Sequence, residues 1–248
     1  MRASEINLIT HLDSERFRRE FSGVAPVVIR SFVAGTRACR RWSPEYLDSL
    51  VGERSVRVCS CPRAWERTTQ GAERAMTPGV ELPFREASKL IRGSSEEVYF
   101  LTGQPVRQML PELAADLDFD PLILRAAPPI SVNFWYAGAG HLTPLHYDRY
   151  DNFLNQIDGR KKVTLFAPAD KEYLYSTSDS RMRTPATVNL FDPDYEQFPH
   201  FERATAIEFV LEPGDTLYLP ADWSHQIESL DVAVSVNFFF QRRESQAT

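Results

Sequence analysis

The chain has 248 residues and a formal net charge of −6, with 43% hydrophobic and 25% charged residues. This length can bury a full core as one domain, and the composition is that of a soluble globular protein. The acidic balance contains no run of like charge, which weighs against the clustered Lys and Arg of a large nucleic-acid footprint.

Membrane and secretion signals are not found in the sequence. No stretch approaches the roughly 18–20 apolar residues that span a bilayer, and the N-terminal "MRASEINLITHLDSERFRRE" lacks the apolar core of a secretory signal. The cysteines, Cys39, Cys59 and Cys61, are odd in number and lack the CxxC spacing of a redox or zinc pair. We therefore expect a cytoplasmic protein with free thiols and no membrane partner.

The first third of the chain alternates predicted strands and helices. Strands are predicted at 26–32 and 55–61, helices at 43–52 and 83–93, and a short helical turn or two within 108–119. The best-defined helix is "SPEYLDSLVG", because Ser43 can cap it, Pro44 suits its first position and Gly52 suits its end. Residues 62–80 have no usable period and contain Pro, Gly and Thr, which predicts a loop.

From residue 130 onward the pattern becomes that of short strands. They are predicted at 130–137, 143–148, 151–157, 161–166, 205–211, 215–220, 225–230 and 232–240. Eight short strands with hairpin spacing predict a mainly β fold, a double-sheet jelly roll or barrel. We divide the chain into an N-terminal α/β annex, 1–129, and this barrel, 130–248, within one structural domain. A long insert at about 170–204, like the loop at 62–80, is a candidate for selecting a substrate.

Polar residues in the barrel strands indicate a metal site. His146 and Asp148 are two residues apart, so on a strand they share one face at a spacing of about 6.6 Å. Charges inside a barrel are costly unless they are paired or coordinated. His225 would complete two histidines and one carboxylate, the facial triad that holds Fe(II) and leaves positions open. Lys161, rather than Lys162, shares a face with the apolar residues of "KKVTLF" and could bind a cosubstrate carboxylate.

Other residues fit weaker patterns. His11-Leu12-Asp13 also has the His-x-Asp spacing, but it lies in a polar segment, and we interpret it as solvated or helix-capping. His141 and His200 have no motif partner and are predicted to lie on the surface or in loops. The last strand has one apolar face, Val232, Val234, Val236 and Phe238, and a second face suited to line a cavity, Ala233, Ser235, Asn237 and Phe239.

The segments "TPLHYD", "DN", "GRKKV", "PADWSHQI" and "VNFFF" together resemble the Jumonji-C, cupin-like Fe(II)/2-oxoglutarate oxygenases. The branch they resemble is that of the small hydroxylases, which includes asparaginyl and lysyl hydroxylases and the tRNA wybutosine hydroxylase. The resemblance covers about 130–240 and extends weakly into the annex through "PVVIRSF" and "RRWSPEYLDSLVG". It implies that the jelly roll is the double-stranded β-helix of this family.

The resemblance also implies a cofactor set and site residues. Fe(II) is the expected metal, with 2-oxoglutarate and O2 as cosubstrates. The implied iron ligands are His146, Asp148 and His225. The implied 2-oxoglutarate residues are Lys161 and Thr143 at the distal carboxylate, Asn152 and Asn237 near the keto-acid end and the iron, and Asn133 in the same cavity.

The sequence departs from the family at one position. Many relatives have a tyrosine whose hydroxyl reaches the distal carboxylate, but here the segment reads "EEVYFLTG". Phe100 is the best-matched residue, with Tyr99 one position earlier. Either the register shifts and Tyr99 supplies the hydroxyl, or this hydrogen bond is absent.

The implied reaction is hydroxylation of a substrate C–H bond. Our leading interpretation is a hydroxylase of an amino-acid side chain in a protein, a peptide or a small metabolite. An RNA-base hydroxylase, similar to the wybutosine hydroxylase, is an alternative that the acidic balance disfavours. A non-catalytic cupin that binds a metal or a small molecule is a third, which the intact ligand set argues against. Demethylation by the same chemistry ranks below these, and the oligomeric state is left open.

Overall fold

Two β-sheets form the frame of the molecule. A computed structural model describes residues 2–62, 79–93, 96–119, 128–176, 183–185 and 188–241. In this part of the chain the strands are β1 (Arg2–Ser4), β2 (Asn7–Ile9), β3 (Val27–Ile29), β4 (Ser55–Pro62), β5 (Val80–Pro83), β6 (Glu97–Pro105), β7 (Ser131–Ala137), β8 (Leu142–Asp148), β9 (Asp151–Asp158), β10 (Lys161–Phe166), β11 (Arg183–Pro185), β12 (Thr205–Leu211), β13 (Thr216–Leu219), β14 (Ser224–Ser229) and β15 (Ala233–Phe240). The α-helices are α1 (Ser14–Glu20), α2 (Arg37–Arg41), α3 (Pro44–Val51), α4 (Phe84–Arg92) and α5 (Val106–Met109), with 3₁₀ helices at Pro111–Asp116, Pro168–Leu174 and Pro199–Arg203.

The strands after residue 130 form a jelly roll. Among the described residues, the smaller sheet has the order β1-β12-β10-β14-β8-β11 and the larger sheet the order β2-β3-β13-β9-β15-β7-β6-β4-β5. Strands β8, β10, β12 and β14 lie in the smaller sheet and strands β7, β9, β13 and β15 in the larger, and they pair antiparallel with their barrel neighbours. This is the arrangement of a double-stranded β-helix. The predicted fold is confirmed, and all eight predicted barrel strands begin and end within one residue of their predicted bounds.

The β9–β10 hairpin determines where Lys161 begins its strand. Gly159 has a φ of +68°, and a Cβ there would lie 2.2 Å from the carbonyl oxygen of Val232. Glycine is therefore required at this turn. The next residue, Arg160, pairs through its guanidinium with Asp231 at 2.7 Å. These contacts hold the start of β10 against the turn between β14 and β15.

The annex packs on the outer face of the larger sheet. Val234, Val236 and Phe238 of β15 point to this side and share one hydrophobic cluster with residues of α1–α5. The alternate side chains of β15 point between the sheets, as the sequence predicted. Helix α3 begins as expected, because Ser43 Oγ accepts a hydrogen bond from the N–H of Tyr46 at 3.2 Å. Strands β2–β3 and β4–β6 extend the larger sheet at its two edges, and the division of the chain at 129/130 stays a prediction.

The described parts of the insert pack on the outer face of the smaller sheet. Leu174, Phe198 and Phe201 share a second hydrophobic cluster with Leu145 and Phe166. Leu145 and Phe166 alternate with residues that face between the sheets. This part of the insert therefore stabilises the barrel. Its role in selecting a substrate stays a prediction, as does that of the 62–80 loop, most of which lies outside the described residues.

Three smaller expectations have different outcomes. None of Cys39, Cys59 and Cys61 forms a disulfide, in agreement with the prediction of thiols. His141 lies in the loop between β7 and β8, as predicted, but it is buried there, with its ring centroid 4.0 Å from that of Phe100. In the part of the chain that the structure describes, no helix is long and apolar enough to cross a membrane.

Candidate metal centre and pocket

Three potential metal ligands meet at one end of the barrel interior. His146 on β8 and His225 on β14 are direct partners across neighbouring strands, and Asp148 lies two residues beyond His146. Oδ2 of Asp148 lies 3.8 Å from Nε2 of each histidine. One ligand atom from each residue lies within 4.8 Å of the other two, so the three can converge on one ion. Two imidazole nitrogens and a carboxylate oxygen are the donor set of a facial Fe(II) triad.

Backbone contacts orient both imidazoles. Nδ1 of His146 lies 2.7 Å from the carbonyl oxygen of Pro144, and Nδ1 of His225 lies 3.1 Å from that of Trp223. A carbonyl oxygen only accepts, so in this geometry Nδ1 is the protonated nitrogen of each ring and Nε2 is the nitrogen that can bind a metal. Both histidine side chains are 4% exposed. The chain has therefore selected the metal-binding tautomer of both rings.

The ligand group opens onto a cavity between the two sheets. Its walls carry polar and apolar groups from both sheets. The lining residues are Trp135, Thr143, His146, Asp148, Asn152, Leu154, Lys161, His225, Ile227, Asn237 and Phe239. The cavity thus brings together the three expected iron ligands and four of the five expected 2-oxoglutarate residues.

Lys161 is a buried cation at the other end of this cavity. Its side chain is in the barrel interior, and Nζ donates to Ser235 Oγ at 2.6 Å across the gap between the sheets. No described carboxylate pairs with it, and burial lowers the pKa of its ammonium from 10.5 to about 8. Lys162, by contrast, points outward, is 40% exposed and pairs with Glu208 at 3.0 Å. The predicted facing of the two lysines is confirmed.

The three asparagines differ in their positions. Asn152 and Asn237 line the cavity, and Nδ2 of Asn237 donates to Oδ1 of Asn152 at 3.0 Å. Asn133 is not among the lining residues. Its amide donates to Ser131 Oγ and to Oδ1 of Asn237 instead, so it lies one step behind the wall. Asn133 is thus placed to support Asn237 rather than to touch a ligand directly.

The position expected for the family tyrosine lies on β6, where Phe100 and Tyr99 point to opposite sides of the strand. Phe100 is buried and pairs with Ala137 in the cluster that also contains Cys59 and Cys61. Tyr99 points to the opposite side of the strand and packs against the annex core. Neither residue lines the cavity. Tyr99 therefore does not take the place of the family tyrosine here.

Ser235 is a site residue that sequence reasoning missed. Strand alternation placed it on the cavity face, but gave it no partner. Its hydrogen bond to Lys161 joins residues 74 positions apart, on strands of different sheets. The other His-x-Asp pair has the expected capping role, since Asp13 Oδ1 accepts from the N–H of Glu15 and of Arg16 at the start of α1.

Comparison with known proteins agrees with this geometry. Residues 14–246 match the family model described as a cupin-like domain. The chain belongs to this family. The family's fold is also that of the crystal structure of ycfD from E. coli, which superposes on 96% of this chain and 55% of its own with a TM-score of 0.56 at 19% identity.

Several proteins of similar sequence have names that refer to different substrates. Lysine-specific demethylase 8 of Xenopus tropicalis is 31% identical over 87% of this chain and 48% of its own length. The tRNA wybutosine-synthesizing protein 5 of Mus musculus is 31% identical over 89% of this chain and 72% of its own. The bifunctional peptidase and (3S)-lysyl hydroxylase JMJD7 of Homo sapiens is 25% identical over 87% and 77%. The chain therefore spans only about half the length of the demethylase that it matches.

Proposed function

We propose that this cupin-like protein is an Fe(II)- and 2-oxoglutarate-dependent oxygenase that hydroxylates a C–H bond. The observation that carries the proposal is the buried ammonium of Lys161, which has no carboxylate partner in the described chain and shares one cavity with two histidines and an aspartate. A buried cation is costly unless it is paired. A dicarboxylate that reaches from the metal ligands to Lys161 supplies that partner.

Each wall of the cavity has a separate task in this proposal. His146, Asp148 and His225 would hold Fe(II), through Nε2 atoms that the backbone has already oriented. Bound Fe(II), with 2-oxoglutarate and O2, supplies oxidative decarboxylation to succinate and CO2 and converts a substrate C–H bond to an alcohol. Lys161 would donate to the distal carboxylate, while Ser235 accepts from its Nζ and holds the ammonium at the cavity wall.

The other cavity side chains complete the binding site. Thr143 lines the cavity with Lys161 and would donate its hydroxyl to the distal carboxylate. Asn152 and Asn237 would hold the keto-acid end. Leu154 and Phe239 contribute apolar surface, which excludes water and strengthens the charge-assisted contacts.

Succinate formation tests the proposal. Protein loaded anaerobically with Fe(II) is mixed with 2-oxoglutarate, exposed to air, and assayed for succinate without added substrate. We expect slow turnover in the wild type, its loss in His146→Ala, and a requirement for at least 10-fold more 2-oxoglutarate in Lys161→Ala. Lys162→Ala is the matched control, because this neighbouring lysine faces outward and should leave turnover unchanged.

A wild type without turnover is resolved by a binding measurement. Some oxygenases consume 2-oxoglutarate only when substrate is present, so Fe(II)-dependent 2-oxoglutarate binding is measured on the same sample by calorimetry. Binding that depends on His146 and Lys161 would support the oxygenase. If the wild type binds neither the metal nor 2-oxoglutarate, the proposal fails and a non-catalytic binding module takes its place.

The substrate class is a proposal of its own. We favour an amino-acid side chain of a protein, a peptide or a small metabolite, because the net charge of −6 opposes association with a polyanion. An RNA base is the second candidate, favoured by the similarity to a tRNA wybutosine-synthesizing protein. Stimulation of succinate formation by peptide pools, free amino acids or total tRNA distinguishes these candidates. Hydroxylation of an N-methyl group, suggested by the similarity to a lysine-specific demethylase, would release formaldehyde in the same assay.

We also propose a cytoplasmic location. The support is the chemistry of the cysteines, since none of Cys39, Cys59 and Cys61 forms a disulfide and Cys59 and Cys61 are buried. Free thiols of this kind are usual in a reducing compartment. Fractionation of cells that produce the protein, followed by immunodetection, tests the location.

A further inference from the structure

A chain of side-chain hydrogen bonds crosses three strands in the wall of the cavity. The indole Nε1 of Trp135 on β7 donates to Oδ1 of Asn237 on β15 at 2.7 Å, and Asn237 Nδ2 donates to Oδ1 of Asn152 on β9 at 3.0 Å. Asn237 is 1% exposed and Asn152 is 8% exposed. Each link joins diagonal neighbours, because Trp135 is opposite Ser235 and Asn152 is opposite Phe239.

The indole N–H of Trp135 determines which atom donates and which accepts in each of these hydrogen bonds. An indole nitrogen only donates, so the Asn237 atom facing it must be the amide oxygen. The other end of the Asn237 amide is then NH2, so the Asn152 atom facing it must be an oxygen. The remaining group of Asn152 is therefore its NH2, and no described residue accepts from it. Since Asn152 lines the cavity, the wall presents a hydrogen-bond donor there.

The fold makes room for this tryptophan. Strand β6 has a bulge between Leu101 and Gln104, where Gly103 adopts a φ of +32°. A Cβ at Gly103 would approach the Trp135 ring to 3.2 Å, closer than carbon atoms pack without strain. The bulge and the glycine thus leave space for the indole at the position from which its N–H reaches Asn237.

We propose that Trp135 is a positioning residue, which acts through Asn237 to hold the Asn152 amide with its NH2 toward the keto-acid end of the cosubstrate. This inference rests on the proposed 2-oxoglutarate site and assigns its orientation to a residue that is not one of the proposed 2-oxoglutarate ligands. Without the indole N–H, the Asn237 oxygen keeps only the longer 3.3 Å contact from Asn133 Nδ2. The other partner of the Asn133 amide is the Ser131 hydroxyl, which can donate or accept, so the amides can turn over together. A turned Asn152 would present its oxygen to an anionic ligand, which is repulsive.

A double-mutant cycle tests the proposal. The affinity of Mn(II)-loaded protein for 2-oxoglutarate is measured by anaerobic calorimetry for wild type, Trp135→Phe, Asn152→Ala and the double variant. Phenylalanine keeps a ring beside Gly103 and removes only the N–H. We expect about 10-fold weaker binding in Trp135→Phe, but less than a 2-fold effect of the same change in the Asn152→Ala background, because the tryptophan acts through that amide.

Two further variants keep the test decisive. Trp42→Phe removes another indole N–H, which donates to Asp116 in the annex, and should leave the affinity unchanged. Asn237→Asp turns the central amide into a carboxylate that accepts from both neighbours, so Asn152 should turn over and affinity should fall by more than 10-fold. This second route still tests the inference if Trp135→Phe does not fold, which melting curves will reveal.

The alternative outcomes have distinct meanings. An unchanged affinity in Trp135→Phe would overturn the inference, and so would an equal loss in both backgrounds, because the tryptophan would then act by its own contact. If Trp135→Phe does not fold, an unchanged 2-oxoglutarate affinity in Asn237→Asp would overturn the inference. If the wild type binds Mn(II) but not 2-oxoglutarate, the proposed function fails as well. If the wild type binds 2-oxoglutarate normally and the Trp135→Phe variant binds it equally well, only the inference about Trp135 fails.

Discussion

Two buried charges, one in the annex and one in the barrel, have opposite surroundings. The Asp116 carboxylate, 2% exposed, accepts from the Trp42 indole N–H at 3.1 Å and from the Tyr46 hydroxyl at 2.8 Å, with Arg41 at 3.5 Å. The Lys161 ammonium, 7% exposed, donates to one neutral hydroxyl and has no carboxylate partner in the described residues. Both charges are comparably removed from water.

This difference distinguishes a buried charge that stabilises the fold from a buried charge that binds a ligand. A charge buried for stability has its partners in the chain, because an unpaired one costs several kcal/mol. A charge buried to bind a ligand lacks a protein partner and lowers stability until the ligand arrives. Asp116 is of the first kind and, in our proposal, Lys161 is of the second. Each of the following changes tests that distinction.

The largest expected effect is that of Lys161→Met on ligand affinity. Loss of the ammonium should weaken 2-oxoglutarate binding by about 100-fold, since charge-assisted hydrogen bonds to a carboxylate are lost. The free energy of unfolding should stay constant or rise by about 1–3 kcal/mol, because an apolar side chain of similar size replaces a buried charge. Calorimetry and urea unfolding measure the two quantities. A large loss of stability would mean that Lys161 is structural, and the comparison would fail.

The reverse result is expected for Asp116→Ala. Removal of this carboxylate leaves the Trp42 and Tyr46 donors without their acceptor, which should lower the free energy of unfolding by about 2–4 kcal/mol. The 2-oxoglutarate affinity of the folded protein should not change. Asp116→Asn is the control, because it retains one acceptor oxygen and should lose less stability. Weaker ligand binding in Asp116→Ala would show that the annex and the cavity are coupled.

The pH dependence of stability should reveal the buried ammonium. Burial lowers the pKa of Lys161 to about 8 from an ordinary 10.5. Between these values the unfolded chain keeps a proton that the folded chain has released, so this group's contribution to stability rises with pH. Relative to Lys161→Met, the wild type should gain about 2 kcal/mol between pH 7 and pH 9.5. Urea unfolding at a series of pH values measures this difference, and a flat difference would place the pKa of Lys161 near 10.5.

Affinity should change in the opposite direction over the same range. The ammonium must be protonated to bind a carboxylate, so above pH 8 the affinity for 2-oxoglutarate should fall by about 10-fold per pH unit. The Lys161→Met variant should lack this dependence. Constant wild-type affinity up to pH 9.5 would show that the cosubstrate does not contact Lys161.

Sequence alone predicted the parts of this molecule that local patterns determine. The barrel strands follow from alternation and turn residues within each segment, and the facing of Lys161 and His146 follows from the same alternation. These signals need no knowledge of which strands are neighbours. The burial of His141 in its loop was not predicted, because it depends on packing against Phe100, 41 positions away.

The contacts between strands could not be predicted in this way. Ser235 bonds to Lys161 across 74 positions, and Trp135 bonds to Asn237 across 102. The choice of partner depends on which sheet each strand joins and on its register, including the bulge in β6 at Gly103. Family resemblance named the residues expected nearest the ligand, but the contacts between those residues and their neighbours emerged only from the assembled sheets.

The smallest expected effect concerns Lys171. This charge has a carboxylate partner in the chain, as a structural charge does, and it also lies beside the segment of a proposed metal ligand. On the 3₁₀ helix of the insert, its Nζ pairs with Asp222 at 3.0 Å and lies 3.5 Å from the centroid of the Tyr147 ring. Asp222 in turn donates its backbone N–H to the carbonyl oxygen of Asp148 at 2.8 Å. The insert thus holds the segment that carries the carboxylate ligand. Supporting contacts of metal ligands commonly change metal affinity when they are removed.

We therefore expect Lys171→Met to weaken metal binding by about 5-fold. This loss is smaller than that from removing a group bonded directly to a metal ligand, because Lys171 acts through the backbone of Asp222. Visible absorption of Co(II) added to the protein measures the affinity and reports on ligand geometry. Lys171→Arg should restore most of the affinity, since a guanidinium can pair with Asp222 and stack on Tyr147. Lys162→Met removes an ion pair on the outer face and should have no effect. Equal Co(II) affinities in all four proteins would show that the insert stabilises the barrel without influencing the metal centre.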